Sequence, residues 1–251
     1  MKRYSFIICL CLVCFLGIAQ DENVQIKEAS NLERQLKEPE ALSKYKEIAT
    51  ADPKNVMVLV KCVELNTYIG SRQTAKNDKR LNYEDALNYA QQALDADSNS
   101  AEANYSMALA KGRLLELETE NKKIIELQKE IKVYADKAVT LNPNFSRGNY
   151  VEGRWHYEVL NLPWLKLAIT KTLHKSFPDA DIDSAIIYME KCRTQEQYFA
   201  ANYLELAKAY KFKNRPAQAI EVLNKLVKLP TRTGNDAAIK AEGQQILSVM
   251  Q

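Results

Sequence analysis

The chain has 251 residues, 46% hydrophobic and 27% charged, with seven glycines and seven prolines. That composition is ordinary for a soluble globular protein and poor in the breakers that β-rich or disordered chains carry. Thirty-five Lys and Arg face 32 Asp and Glu, too even a balance for a nucleic-acid-binding surface, which needs concentrated positive charge.

Lys2 and Arg3 precede an apolar run from Phe6 to Ile18, which closes on Gly17-Ile18-Ala19 before Gln20. A positive start, a short apolar core and small residues two apart predict a secretory signal peptide over residues 1–19, cleaved after Ala19. The run is too short for a spanning helix, which needs about 20 apolar residues. Val13 stands where a lipobox centred on Cys14 would need a small residue. Cleavage leaves residues 20–251 with a net charge of +1 and no transmembrane segment, in the periplasm or secreted. Of the five cysteines only Cys62 and Cys192 remain, which is no disulfide framework; both fall on apolar stripes and read as small core residues.

Five stretches then repeat one pattern, beginning at Ala41, Ala86, Ile131, Ala185 and Ala219. Each has apolar residues at its first, fifth and eighth positions: Ala41/Tyr45/Ile48, Ala86/Ala90/Ala93, Ile131/Ala135/Ala138, Ala185/Met189/Cys192 and Ala219/Leu223/Leu226. Offsets of four and seven lie on one helix face, so each stretch is an amphipathic helix with a stripe to bury. Asp52-Pro53 and Asn142-Pro143 end two of them. An apolar stripe that one helix cannot bury alone, repeated five times, predicts an all-α, right-handed tetratricopeptide-like stack of helix pairs. Each stretch is the second helix of its pair.

The spacings are 45, 45, 54 and 34 residues, and 34 is the standard tetratricopeptide period. The last pair runs from Ala200, with Tyr203, Leu206, Ala207 and Tyr210 on its first helix and a turn at Lys213–Pro216. The same register puts Ala108 and Gly153 at the small position of two earlier first helices. Of the insertions, residues 71–82 are polar and read as a loop. Residues 114–130 keep helical periodicity and should lengthen the helices around them. Asn161 and Pro163 start a short extra helix to about Leu173, followed by a turn at Ser176–Asp179. Residues 236–250 form a capping helix over the open end.

The segment Gly153–Cys192, GRWHYEVLNLPWLKLAITKTLHKSFPDADIDSAIIYMEKC, resembles the regulator of microtubule dynamics family. Gly153, Arg154, Trp155, Tyr157, Leu162, Trp164 and Leu165 match its G-R-W-x-Y element and the leucine- and tryptophan-rich helix after it. The resemblance runs over roughly Ala41–Leu229. It implies an all-helical tetratricopeptide-like domain, which in eukaryotic members follows a membrane anchor or targeting segment. Some of those members act at organelle contact sites, and one branch is associated with phospholipid binding. Here an export signal stands in place of the anchor.

The two histidines, His156 and His174, form no metal pair, and no C-x-x-C, glycine-rich phosphate loop or G-x-S-x-G is present. The sequence therefore predicts a non-enzyme without cofactor or metal. Trp155 and Trp164 read as core rings holding the extra helix, with an aromatic ligand pocket as the other reading. Counting from Ser146, the concave positions of the fourth first helix hold Arg147, Tyr150 and Arg154; Tyr105 and Lys208 come from its neighbours. Arginine interleaved with tyrosine suits a carboxylate, a phosphate or a peptide backbone. A pairing of Arg154 with Glu158, one turn on, is the competing reading. The expected partner is a protein or peptide in the concave groove, and the alternative is a lipid or other amphipathic anion in the same groove. Alanine at Arg147 and Arg154 is expected to weaken binding and leave stability nearly unchanged.

Overall fold

A computed structural model of the chain describes residues 23–162, 164–165 and 177–250. The leader over residues 1–19 and most of the extra helix expected from Pro163 lie outside the described residues, as does Ser176. Among the described residues every regular element is a helix. They run α1 (residues 23–34), α2 (Glu38–Ala51), α3 (Val56–Arg72), α4 (Lys76–Ala96), α5 (Ala101–Leu115) and α6 (Asn121–Leu141). There follow α7 (Ser146–Leu160), α8 (Ile182–Gln195), α9 (Ala200–Phe212), α10 (Pro216–Leu226) and α11 (Asp236–Met250). The predicted pairs are present, with the five repeated stretches in α2, α4, α6, α8 and α10 and α11 as the cap. The fold is a tetratricopeptide-like helical array.

Local chemistry sets the helix ends. The Asn55 side chain accepts from Val58 N–H, Ser100 from Ala103 N–H and Asp181 from Ser184 N–H, each satisfying an orphan donor of a first turn. Pro216 opens α10, where its missing N–H costs nothing. Asn214 adopts φ 58° in the turn before it, a left-handed position that asparagine tolerates better than most residues.

The fifteen stripe residues are all buried, and all but Tyr45, Ile48 and Ile131 completely. First helices also pack on first helices, α3 on α5, α5 on α7 and α7 on α9, with no comparable contact between successive second helices among the described residues. The first helices therefore form the inner layer and the array curves around them. At Gly153 a Cβ would meet Met189 Cγ at 2.8 Å and the Ala185 carbonyl oxygen at 2.9 Å. That marks a close approach of α7 and α8, as the small position predicts.

One expected element is different. The polar stretch 71–82 is not a loop: α3 reaches Arg72, α4 begins at Lys76, and only three residues lie between them. No glycine or proline interrupts residues 71–85, so the polar residues extend α4 into solvent. Tyr83 anchors the extension beneath Gly70, and its hydroxyl donates to Glu116. Residues 114–130 are helical as expected, apart from the turn between α5 and α6.

Candidate functional site

The inner layer is built from charged residues that hold one another across repeats. In its lower half, Glu33 of α1 accepts from the Tyr45 hydroxyl at 2.6 Å and from Lys61 at 3.2 Å. Lys61 also donates to Glu64 at 3.2 Å, and the Tyr105 hydroxyl donates to the other Glu64 oxygen at 3.0 Å. On α7, Arg147 donates through Nε to Glu196 at 2.7 Å, through Nη2 to the second Glu196 oxygen, and through Nη1 to the Tyr68 hydroxyl at 2.9 Å. Its guanidinium lies 3.6 Å from the centre of the Phe199 ring.

These groups fix each other's ionisation. Burial alone would raise the Glu64 carboxyl, but Lys61 and Arg147 beside it hold it below the usual range. Burial and the Glu64 charge push the Tyr105 phenol well up, so it stays a donor. Burial works against the charge on Arg147, yet Tyr68, Tyr105 and the two glutamates around it outweigh that and keep it cationic.

This half opens into a groove of about 740 Å³ along the N-terminal turns of α3, α5 and α7. Val56, Met57, Val60, Leu141 and Phe145 supply apolar walls, and Lys61, Glu64, Arg147 and Glu196 a polar floor. Met57 is 46% exposed and Leu141 40%, so both offer apolar surface at the rim of this charged groove.

The upper half is a second network. Arg154 donates to Glu158 and Glu116, Arg113 to Glu116, and Lys208 to Glu205 and Glu242. Around it lies a pocket of about 260 Å³ lined by Arg72, Arg113, Tyr150, Arg154, Glu205 and the start of α11. Burial and the neighbouring Glu205 raise the Glu158 carboxyl despite Arg154.

The five residues singled out from the sequence are thus divided. Tyr105 and Arg147 face the larger groove, Tyr150 and Arg154 the smaller pocket, and Lys208 lines neither while binding Glu242 at the pocket's edge. Tyr105 and Tyr150 are buried between first helices instead of standing on an open face; Tyr150 meets Phe199 edge-on at 4.8 Å. The competing reading of Arg154 holds, since it pairs with Glu158. Both arginines are paired, Arg147 with Glu196 beyond α8 and Arg154 with Glu158 on its own helix and with Glu116 after α5, which argues for a larger share in stability than an unpaired surface arginine has.

Trp155 is core. It is 1% exposed, donates from Nε1 to the Gln128 carbonyl at 2.8 Å and stacks on Phe177. Trp164 is half-buried and lines a separate pocket with Leu115, Ile124 and Leu162 on one side and Glu116, Glu118 and Glu158 among its polar lining. His156 is buried, its Nδ1 accepting from Asp181 N–H and its Nε2 facing Glu152. Among the described residues no group of three or more His, Cys, Asp and Glu could hold a metal, and no helix is long and apolar enough to cross a membrane.

Sequence reasoning missed two features. Asn104 and Asn149, 45 residues apart, each donate from the side-chain amide to two carbonyls of the preceding turn, fixing the entry to α5 and α7; their shared spacing was the available signal. The other is Glu196, whose distance of 49 residues from Arg147 gives no local cue.

The family model of regulator of microtubule dynamics proteins 1–3 matches residues 25–251. Regulator of microtubule dynamics protein 1 of Caenorhabditis elegans is 28% identical over 186 residues, 74% of this chain and 80% of that protein. The Bos taurus protein of the same name is 28% identical over 69% of this chain, and the match spans 55% of its length. A thermophilic TPR protein from Thermus thermophilus superposes with a TM-score of 0.65 at 12% identity, over 90% of this chain and 99% of its own. That likeness is one of fold.

Proposed function

The chain belongs to the regulator of microtubule dynamics family, and from that premise we propose that it is a non-catalytic scaffold binding a protein or peptide segment. The observation that carries this is the 740 Å³ groove, where exposed Met57 and Leu141 flank a floor of Glu64, Arg147 and Glu196. An extended segment suits that combination: its apolar side chains meet the rim while its backbone amides and carbonyls meet fixed acceptors and donors. The floor groups are already oriented by Tyr105, Tyr68 and Phe199, so little order must be gained on binding. The leader over residues 1–19 would deliver this scaffold to an exported compartment; intact mass of secreted material should lack those residues, and an intact Met1 would refute export.

The second reading is an amphipathic, lipid-like ligand. The apolar side of the pocket, Leu115, Ile124, Leu162 and Trp164, favours it, whereas the glutamates on that pocket's other side and the charged groove floor favour peptide. Native mass spectrometry with lipid extraction, beside affinity capture by the unaltered chain and by a Met57→Glu/Leu141→Glu variant, separates the two. Capture of a protein lost in the variant supports the scaffold. Stoichiometric lipid that survives the rim change supports the carrier.

A further inference from the structure

The C-terminal strap, Thr231–Asn235 between α10 and α11, reaches back across the inner layer to the first repeats. Gly234 N–H donates to Glu38 at 2.8 Å, 196 residues away in sequence. The Asn235 amide is read on both sides: its oxygen accepts from Arg72 Nη1 at 2.5 Å, and its nitrogen donates to Ser71 Oγ at 2.9 Å. Arg72 also pairs with Glu38, which is only 3% exposed. A Cβ on residue 234 would stand 2.9 Å from Arg72 Nη1 and 3.2 Å from a Glu38 oxygen, so a side chain there would push the ends of Arg72 and Glu38 aside.

The strap carries its own turn. Asp236 accepts from Arg232 N–H, Thr233 N–H and the Thr233 hydroxyl, and Arg232 lies over the Tyr198 ring at 4.3 Å. These contacts hold the loop in shape and leave its outward amide and Asn235 to meet α2 and α3. The arrangement is that of a bound peptide: one backbone donor to a buried carboxylate, and one side-chain amide recognised through both its acceptor and its donor.

We propose that Glu38, Ser71 and Arg72 form a peptide-docking site for a turn-forming segment carrying Gly-Asn, occupied in this chain by its own strap. A partner segment of the same chemistry enters by displacing the strap. The site lies apart from the Met57–Leu141 groove and does not depend on the reading given to that groove. Tethered by a short link, the strap is present at an effective concentration on the order of millimolar, so a partner binds only weakly until the strap lets go.

The probe is a fluorescein-labelled peptide of residues 229–237, LPTRTGNDA, followed by anisotropy against the full chain. A Gly234→Ala/Asn235→Ala chain, with its strap loosened, should bind it at least tenfold tighter than the unaltered chain. Adding Arg72→Ala to that chain should abolish binding, and a peptide with Asn235→Ala should bind at least tenfold more weakly. Equal affinity for both chains, binding to neither, or indifference to Arg72→Ala overturns the proposal. A loosened chain that dimerises instead of taking the peptide would assign the site to a second copy's strap and overturn the partner reading. Should the loosened chain fail to fold, hydrogen exchange of residues 231–235 in the unaltered chain decides the matter: excess peptide should accelerate it, and unchanged exchange overturns the proposal.

Discussion

Arg147 clasps Glu196 through two guanidinium nitrogens while stacking on Phe199, so one side chain ties α7 to the turn that opens α9. The pair is mostly withdrawn from water, with side chains 19% and 32% exposed, and so is less screened than an open surface pair. Arg147→Ala should lower stability by about 1–3 kcal/mol, because it orphans charged acceptors. A double-mutant cycle with Glu196→Ala in urea should show coupling above about 0.5 kcal/mol. Additive losses would reduce the clasp to an ordinary surface pair.

Trp155 follows Arg154 by one residue, a step of about 100° around α7 that turns it from the inner side into the core. Trp155→Ala opens a cavity against Phe177 and removes the indole donor to the Gln128 carbonyl, and should cost about 3–5 kcal/mol. Trp155→Phe keeps most of the volume and loses the 2.8 Å hydrogen bond, so about 1–3 kcal/mol is expected. Equal losses for the two variants would show that the bond, and not the volume, is what matters.

The repeated stripes were readable because burial of Ala90, Ala135 and Cys192 is a local, periodic demand on sequence. The inner layer was only half readable. Position in the repeat put Arg147, Tyr150 and Arg154 on the inner side, but their partners Glu196, Tyr68 and Glu116 come from other repeats, where spacing says nothing. Tyr105 was expected on an open surface; close packing of first helices buries it and turns its hydroxyl to Glu64. Residues 71–82 failed for another reason. Polarity was read as a loop, whereas the break is only residues 73–75, and from Lys76 on no glycine or proline keeps the polar residues from joining α4.

Gly153 makes a sharper test of the repeat geometry than any large residue. Its missing side chain lets the α8 backbone come within 2.9 Å of where a Cβ would sit, and the Ala185 carbonyl cannot yield as a flexible side chain would. Gly153→Ala should destabilise by about 1–3 kcal/mol despite alanine's better helix propensity. A Gly153→Ala chain that melts higher than the unaltered one would show that α7 and α8 are not this close.

Cys62 on α3 and Cys192 on α8 are both wholly buried. Burial pushes the Cys62 thiol up to about 12, and burial together with Glu196 pushes Cys192 higher still. Since the thiolate is the reactive form, a disulfide reagent at about pH 8, near the ordinary thiol range, should label neither in the native chain and both in denaturant. Prompt native labelling of either would mean that its repeat opens readily.

Acid should loosen the inner layer before the stripes. Glu64 and Glu116 are both withdrawn from water, which would raise them. Lys61 and Arg147 for the first, and Arg113 and Arg154 for the second, prevail and lower them. A carboxylate whose folded value lies below its unfolded one, about 4.3 for glutamate, stabilises the fold fully above that unfolded value. That contribution is lost as pH falls through the folded value. Urea midpoints should therefore hold between about pH 7 and pH 5 and drop below about pH 4. Glu64→Gln keeps an acceptor for Tyr105 but has no charge to lose, so its midpoint should start lower at neutral pH and fall less steeply in acid. Parallel acid profiles for the two chains would remove Glu64 from the network that holds the first helices together.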